Sequence, residues 1–509
     1  MAQVVLQIGA GGVGSVVAHK MAMNRGVFGR IVLASRRLSS CALVANSIKQ
    51  RGLGEIEIEE VDADDLNAVL ALIHKYKPAL LVNTALPYQD LVLMEACLQT
   101  GTHYLDTANY EHPDSAHFEY KEQWAFDREY KEAGLFALLG SGFDPGVTNV
   151  FCAYAAKHYF DEIHEIDILD CNAGDHGYAF ATNFNPEINL REVSSKARYW
   201  QSLTSKDSKL DPNDLVSKID LDLNPDLSLD TIYRRFDRPK KHFALESNTQ
   251  DLRVEPYCGG QWRDLAPLSL MKSWDYPELG ARNSYLLYHE ELESLVRNIK
   301  GLKRIRFFMT FGESYLTHMK CLENVGLLRI DEVEHKGSRI VPLELLKTLL
   351  PDPASLAPVT KGNTHIGCYF RGIYKGAPRI IYIYNICDHE ACFKEVGAQG
   401  VSYTTGVPAM IGAKLICEGR WGLNQPKTPS LVGNEDLLEG ARHQGIDNSE
   451  ELQRLANKPS LSRGAGVWNM EQNDPDPFME ELNKQGLPFV VLEVGAGGEA
   501  RVLEDGRSN

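Results

Sequence analysis

The first residues able to do chemistry stand almost at the start of the chain. Gly9-Ala10-Gly11-Gly12-Val13-Gly14 follows the apolar run Val4-Val5-Leu6-Gln7-Ile8 and leads into Ser15 to Ala22, where apolar residues recur at helical spacing. A G-x-G-x-x-G alone is a weak signal, but between a strand and a helix it cradles a dinucleotide pyrophosphate. Gly9 permits the turn, Gly11 lets the backbone approach the phosphates and Gly14 lets the helix close on the strand, while the N–H groups around Gly12 and Val13 present the positive end of the helix dipole. The second strand ends in Ser35-Arg36-Arg37, where a site for NAD would carry an acidic residue to accept from the ribose 2'-hydroxyl. Guanidinium groups match a 2'-phosphate in charge and fork geometry, so NADP(H) is expected; the alternative is a solvated surface pair. Asp62 and Ala63, after the third strand, either face the adenine edge or belong to a helix cap, and Asn83, Thr84 and Pro87, after the fourth, are expected to border the nicotinamide.

These loops need a sheet to hold them. Short apolar runs at 4–8, 31–34, 56–61, 79–83, 102–106 and 134–139 alternate with helical patterns at 15–22, 65–76, 91–100 and 118–133. The alternation argues for an α/β fold with a doubly wound parallel sheet of Rossmann type, whose ligand crevice lies at the carboxyl ends of the strands. Asp144 falls just past the sixth strand, before Pro145; it is a candidate to act on substrate there or, more simply, to cap the next helix.

The rhythm changes beyond residue 160. Runs at 165–170, 303–311, 365–370 and 379–384 read as strands of a mostly antiparallel sheet, with helices at 285–298, 313–324 and 343–350. This is an α+β substrate domain over 146–389, its apolar sheet offering a dimer surface. Residues 1–145 form the dinucleotide-binding domain, completed by about 390–421 and 464–494; the helix entered through Thr405-Gly406-Val407-Pro408 is rich in small residues and expected to pack back on it. Two polar stretches, 202–250 and 423–463, read as solvated inserts, and the chain past Gly495 as a frayed end.

In 509 residues, 53 Lys and Arg stand against 69 Asp and Glu, a net charge of -16 that repels phosphate backbones and anionic membranes and welcomes a cationic small molecule. No nucleic-acid or membrane partner is expected. Ten scattered cysteines suit free thiols in a reducing compartment, and with no apolar run approaching the ~20 residues of a membrane span and no basic leader, a cytoplasmic location is expected. Cys387-Asp388-His389-Glu390-Ala391-Cys392 matches no zinc signature, and no metal is expected.

Several segments together resemble the saccharopine dehydrogenase family, in particular its carboxynorspermidine/carboxyspermidine dehydrogenase branch. They include the glycine loop, Ala34-Ser35-Arg36, Leu105-Asp106-Thr107-Ala108-Asn109-Tyr110, Gly140-Ser141-Gly142-Phe143-Asp144-Pro145-Gly146-Val147, Asp170-Cys171-Asn172-Ala173-Gly174-Asp175-His176-Gly177, the stretch Ala181 to Glu192 and Leu287-Tyr288-His289-Glu290-Glu291-Leu292. The resemblance implies a homodimeric enzyme performing an NADPH-dependent reductive condensation of L-aspartate β-semialdehyde with 1,3-diaminopropane or putrescine. It also implies proton-handling roles for Tyr110, Asp144 and Cys171. In the matching segment, Arg191 would fork onto the α-carboxylate of the aldehyde and Glu187 or Asp175 would take the distal ammonium, with Asn185 beside them; Glu187 and Arg191 also form an i, i+4 pair if that segment is helical. His176 and His289 are read as structural hydrogen bonders or proton relays. Saccharopine reduction is a rival, as is a catalytically silent NADP-binding interaction protein.

Overall fold

A computed structural model describes residues 2–112, 119–202, 260–299, 301–423, 464–495 and 497–508. The first sheet is formed by β1 (Gln3–Ile8), β2 (Phe28–Ser35), β3 (Glu57–Glu60), β4 (Leu80–Asn83), β5 (His103–Leu105) and β6 (Phe136–Leu139), with β17 (Gly466–Asn469) added from the far end of the chain. Its order is β17-β6-β5-β4-β1-β2-β3, every neighbouring pair parallel. Strand order reverses between β1 and β4, which places the crevice of this doubly wound sheet over Gly9 and Thr84. Helices α1 (Gly12–Met23), α2 (Leu38–Gln50), α3 (Leu66–Tyr76) and α4 (Asp90–Thr100) cover the sheet, and two short helices, α5 (Lys121–Trp124) and α6 (Asp127–Ala133), replace the single helix expected at 118–133. Helix α7 (Val147–His158) leads out of this layer, and Gly146, not Asp144, is its N-cap residue.

The second sheet is mixed and mostly antiparallel. It runs β10 (Met271–Tyr276), β11 (Gly280–Leu287), β12 (Arg304–Thr310), β7 (Glu162–Asn172), β15 (Asn363–Tyr374), β16 (Ala377–Asp388), β18 (Phe489–Val494), β19 (Ala500–Asp505), with β8 (Ala197–Ser202) joined to β12 and β9 (Gly260–Leu265) to β8. Only β12 and β7 pair in parallel among these strands. One face, carrying Ile166, Ile168, Phe307 and Cys368, packs into the same core as Val147, Val150 and Phe151 of α7. Helix α8 (Pro186–Ser194) stands above this junction, α9 (Glu291–Asn298) lies beside α7, and α10 (Glu313–Asn324), α11 (Pro342–Leu349) and α12 (Pro353–Leu356) make an outer layer with the small hairpin of β13 (Val333–His335) and β14 (Ser338–Ile340).

Three expectations change. The segment 285–298 is not one helix: Tyr285 to Leu287 pair with Phe307 to Met309, so strand pairing overrides the helical period, and the helix begins only at Glu291. The stretch 464–494 is divided between the domains, because Val490 to Glu493 continue the edge of β16 instead of returning to the first sheet. The end of the chain is paired, with β19 on β18 and Arg507 against Glu278. Both polar inserts fall essentially on 203–259 and 424–463, outside the described residues.

Helices α13 (His389–Val396) and α14 (Gly400–Cys417) return the chain to the first domain, followed by α15 (Pro475–Lys484). Helix α14 starts well before the expected Pro408, which lies inside it. Its glycines meet the first domain at close quarters: a Cβ on Gly406 would stand 2.6 Å from Val16 Cβ, and one on Gly412 would stand 2.5 Å from Ser141 Oγ. No described helix is long and apolar enough to cross a membrane.

Candidate active site

The glycine loop is built as its sequence requires. Gly9 has φ +108°, a region L side chains rarely adopt, and a Cβ there would meet the Thr84 backbone at 2.5 Å; a Cβ on Gly14 would stand 2.2 Å from the Gly9 carbonyl. Gly11 faces open space, and α1 starts there with no side-chain cap and no acidic residue in its first turn, leaving its N-terminal donors for a phosphate. Gly12 and Val13 lie in that first turn; a Cβ on Gly12 would stand 2.7 Å from Ser402 Oγ of α14, so this helix backs the loop. Ser35 is half-buried at the end of β2, and Arg36 and Arg37 are exposed with no ion pair among the described residues. Open donors on the helix and unneutralised guanidiniums at the adjacent strand end fit a dinucleotide carrying a third phosphate. Beside them, Asp62 is exposed and accepts from the Asp64 N–H, Ala63 is buried, and Asp65 supplies the helix cap instead.

The loop after β4 is held from beneath. Asn83 turns inward, donating to Asp90 at 2.7 Å and accepting from the Ala85 N–H, while the Thr84 hydroxyl donates to the Ile8 and Gly9 carbonyls; Pro87 opens a short turn that carries Tyr88. Asn83 thus supports this loop from inside. Helix α8 connects this loop to the next two. Tyr88 donates to Glu187, Arg191 bonds Glu187 at 3.0 Å and Glu111 at 3.4 Å, and Lys347 of α11 reaches the second Glu187 oxygen at 2.7 Å. The Glu187–Arg191 pair at i, i+4 is therefore formed, but as part of a buried network. Asn185 caps α8 by accepting from the Glu187 and Ile188 N–H groups. Asp175 stands apart, exposed, in a backbone bridge with Lys361.

Where the two sheets meet, carboxyl groups accumulate. Asp144 and Asp170 of β7, both half-buried, face each other and are hydrogen-bonded. Burial, reinforced by the Asp170 charge, pushes the Asp144 carboxyl well above its ordinary range, and burial raises Asp170 to about 7. Two such groups share a proton, so the pair holds an acid near neutrality. Glu192 lies near them, pushed up by burial to about 8, with Oε1 3.9 Å from His289 Nε2. His289 stacks on Phe307 and its Nδ1 bonds Glu291; burial opposes its charge, but Glu291 and Glu290 override that and hold it protonated. Burial also raises Glu111 to about 7.

The sequence-derived candidates separate on this geometry. Asp144 sits at the centre. Cys171 does not: successive residues of β7 face opposite sides, so Asp170 points toward Asp144 while Cys171 is sealed with Tyr276, Phe308 and Tyr384, its thiol raised by burial to about 11. Tyr110 is half-buried in the loop after β5, its backbone N–H held by Gln123. His176 receives the Tyr178 N–H, a local turn contact. Asp170, Glu192 and the Glu290–Glu291 pair escaped the reading of the sequence, although strand parity alone would have preferred Asp170 to its neighbour. Cys387 and Cys392 bring their sulfurs within 3.1 Å, both buried, and nine described cysteines are free thiols.

The comparisons agree with this architecture domain by domain. Residues 5–138 match the saccharopine dehydrogenase NADP-binding domain and residues 142–440 the saccharopine dehydrogenase C-terminal domain. A carboxyaminopropylagmatine dehydrogenase from Synechocystis is 45% identical over 489 residues, 96% of this chain and 97% of that protein. A carboxynorspermidine synthase from Vibrio alginolyticus is 35% identical, covering 97% of this chain and 98% of its own. Saccharopine dehydrogenase (L-Glu forming) from Saccharomyces cerevisiae shares the fold at 12% identity, with a TM-score of 0.60 over 97% of this chain and 100% of that one. Two consecutive domain matches and two near full-length relatives place the chain in the saccharopine dehydrogenase family, as an NADP(H)-dependent oxidoreductase.

Proposed function

We propose that the protein joins L-aspartate β-semialdehyde to the primary amine of agmatine and reduces the product with NADPH, in polyamine biosynthesis. The observation that carries this reading is the 45% identity, over 96% of the chain, to a relative named for carboxyaminopropylagmatine. That name describes agmatine bearing a carboxylated aminopropyl group, the adduct this condensation would leave. The site's chemistry supports an amine with two cationic ends: Glu192, Glu290 and Glu291 are buried, and Asp144 and Asp170 half-buried, around the place where it would react. Glutamate and α-aminoadipate semialdehyde, the saccharopine pair, would bring several more carboxylates into that cluster at a large electrostatic cost. A diamine such as 1,3-diaminopropane or putrescine is the second reading, favoured by the 35% identity to carboxynorspermidine synthase.

The amine must arrive unprotonated and attack the aldehyde carbon, giving a carbinolamine. Asp144, protonated and partnered by Asp170, would give its proton to the carbinolamine oxygen, so that the C–O bond breaks, water leaves and an iminium forms. The pair, now more negative, stabilises the cation it has produced. Arg191, fixed by Glu111 and Glu187, orients the aldehyde through its α-carboxylate. NADPH, when bound, supplies the hydride that converts the iminium to a secondary amine; the glycine loop with Arg36 and Arg37 would hold it. Oxidation of NADPH measured with the semialdehyde and agmatine, putrescine, 1,3-diaminopropane or no amine tests the proposal. Fastest turnover with agmatine, with the adduct confirmed by mass, is expected. Oxidation with glutamate and α-aminoadipate semialdehyde alone would overturn it.

A further inference from the structure

Asp144, Asp170, Glu192, Glu290 and Glu291 all lie within electrostatic reach of the His289 imidazole. Glu192, Glu290 and Glu291 are buried around a single imidazolium, so the fold keeps acids there protonated, and a second cation would be paired as they ionise. Two oxygens show where it belongs. Glu192 Oε1 and Glu291 Oε1 have no hydrogen-bond partner among the described residues, although the two side chains are 7% and 0% exposed. They come from different elements, the last turn of α8 and the first of α9, and the two side chains flank His289, with Glu192 Oε1 3.9 Å from Nε2 and Glu291 bonded to Nδ1 through its other oxygen, Oε2.

The alternatives for holding a cationic group are already engaged. Both Glu187 oxygens are occupied, by Tyr88 and Arg191 on one side and Lys347 on the other, and Asp175 is exposed. We infer that Glu192 and Glu291, flanking His289, seat the distal cation of the amine substrate, an ammonium or guanidinium several carbons from the reacting nitrogen. The inference rests on the reading above that the substrate is an amine with a second cationic end. A guanidinium suits the seat well, because its planar set of N–H donors can reach carboxylates on two elements at once. His289, Glu290 and Glu291 are also close enough together to ligate a metal. With His289 Nδ1 engaged by Glu291, only Nε2 remains to ligate a metal, and a chelator separates that occupant from a cationic amine.

The test compares agmatine with butylamine, which keeps the reacting amine and lacks the distal cation, in the wild type and in Glu192→Gln, with Glu291→Gln as a second variant. Agmatine is also titrated calorimetrically into the NADPH-loaded protein. Glu192→Gln should lower the agmatine-to-butylamine ratio of kcat/KM by at least tenfold, mainly through KM, and weaken agmatine binding to the same degree. An equal loss for both amines, or undiminished agmatine binding in both variants, overturns the assignment. So does agmatine binding that a chelator abolishes and a divalent cation restores. If no amine supports NADPH oxidation by the wild type, the proposed reaction fails, yet the titration still decides the seat. Tenfold weaker agmatine binding in the variant sustains it, and no binding to the wild type overturns it.

Discussion

The proposed chemistry turns on a few side chains whose protonation is set by their surroundings. Asp144 and Asp170 face each other, and desolvation holds both carboxyls above their ordinary range. Replacing Asp144 with Asn removes the transferable proton while keeping the side chain's shape. Turnover is expected to fall at least ~100-fold, the usual scale for losing a general acid, while NADPH affinity stays within about twofold. Single-turnover kinetics with a fluorescence titration of NADPH would separate the two, and wild-type turnover would remove Asp144 from the mechanism. Arg36 and Arg37 allow an independent check. With no carboxylate partner among the described residues, their loss costs the fold little. Each charge-assisted bond to a 2'-phosphate is worth about 1.5–3 kcal/mol, so Arg36→Ala and Arg37→Ala, made singly, should each raise the KM for NADPH roughly 10- to 100-fold and leave that for NADH almost unchanged. A parallel loss for both cofactors would assign the two arginines to surface structure.

Among the elements, α14 and α8 hold the site together. Helix α14 carries Gly406 against Val13 and Val16 of the dinucleotide loop and helix, so a distant part of the sequence fixes the loop's position. In Gly406→Val the first added carbon would lie 2.6 Å from Val16 Cβ. Such overpacking typically costs about 1–3 kcal/mol, and it should lower the melting temperature and weaken NADPH binding together. Gly26→Ala is the control, since its Cβ would meet nothing within 4 Å, and it should change stability by less than about 0.5 kcal/mol. Equal behaviour of the two variants in thermal unfolding would argue against a clamp. Helix α8 acts through side chains instead, joining the loops after β4 and β5 to the second domain through Glu187, Arg191 and Glu192.

For the whole molecule, the accumulation of buried acids has a consequence for stability. Burial raises Asp106, Asp170 and Glu111 to about 7 and Glu192 and Glu293 to about 8, whereas in the unfolded chain such groups titrate near ~4. Between those limits the folded protein binds more protons than the unfolded one, so stability falls as pH rises. It is fully present below the unfolded values and is lost as pH passes through the folded ones. The ligand-free protein should therefore melt several degrees lower near pH ~9 than near pH ~6, and agmatine should restore part of the difference by supplying a second cation. A melting temperature that is flat or rises over that range would show that the acids are not held neutral by the fold.

Local signals in the sequence were sufficient for the glycine loop, the choice of NADP(H), the parallel sheet and the candidacy of Asp144, because each depends on a short stretch whose backbone geometry or strand end is set nearby. Composition also recorded an acidic chain suited to a cationic ligand. The tertiary structure alone decided which acids meet. Asp144 and Asp170 are joined by the packing of one domain's strand end on the other's sheet, and the alternation of β7 turns Asp170 toward that junction and Cys171 away from it. Glu192 and Glu291, a hundred residues apart, share His289 because α8 folds over the start of α9, and the pairing of β11 with β12 ended the apparent 285–298 helix just where His289 is needed. Contacts between distant segments carry no periodicity, so residues that act by being brought together across domains leave no mark in either segment alone.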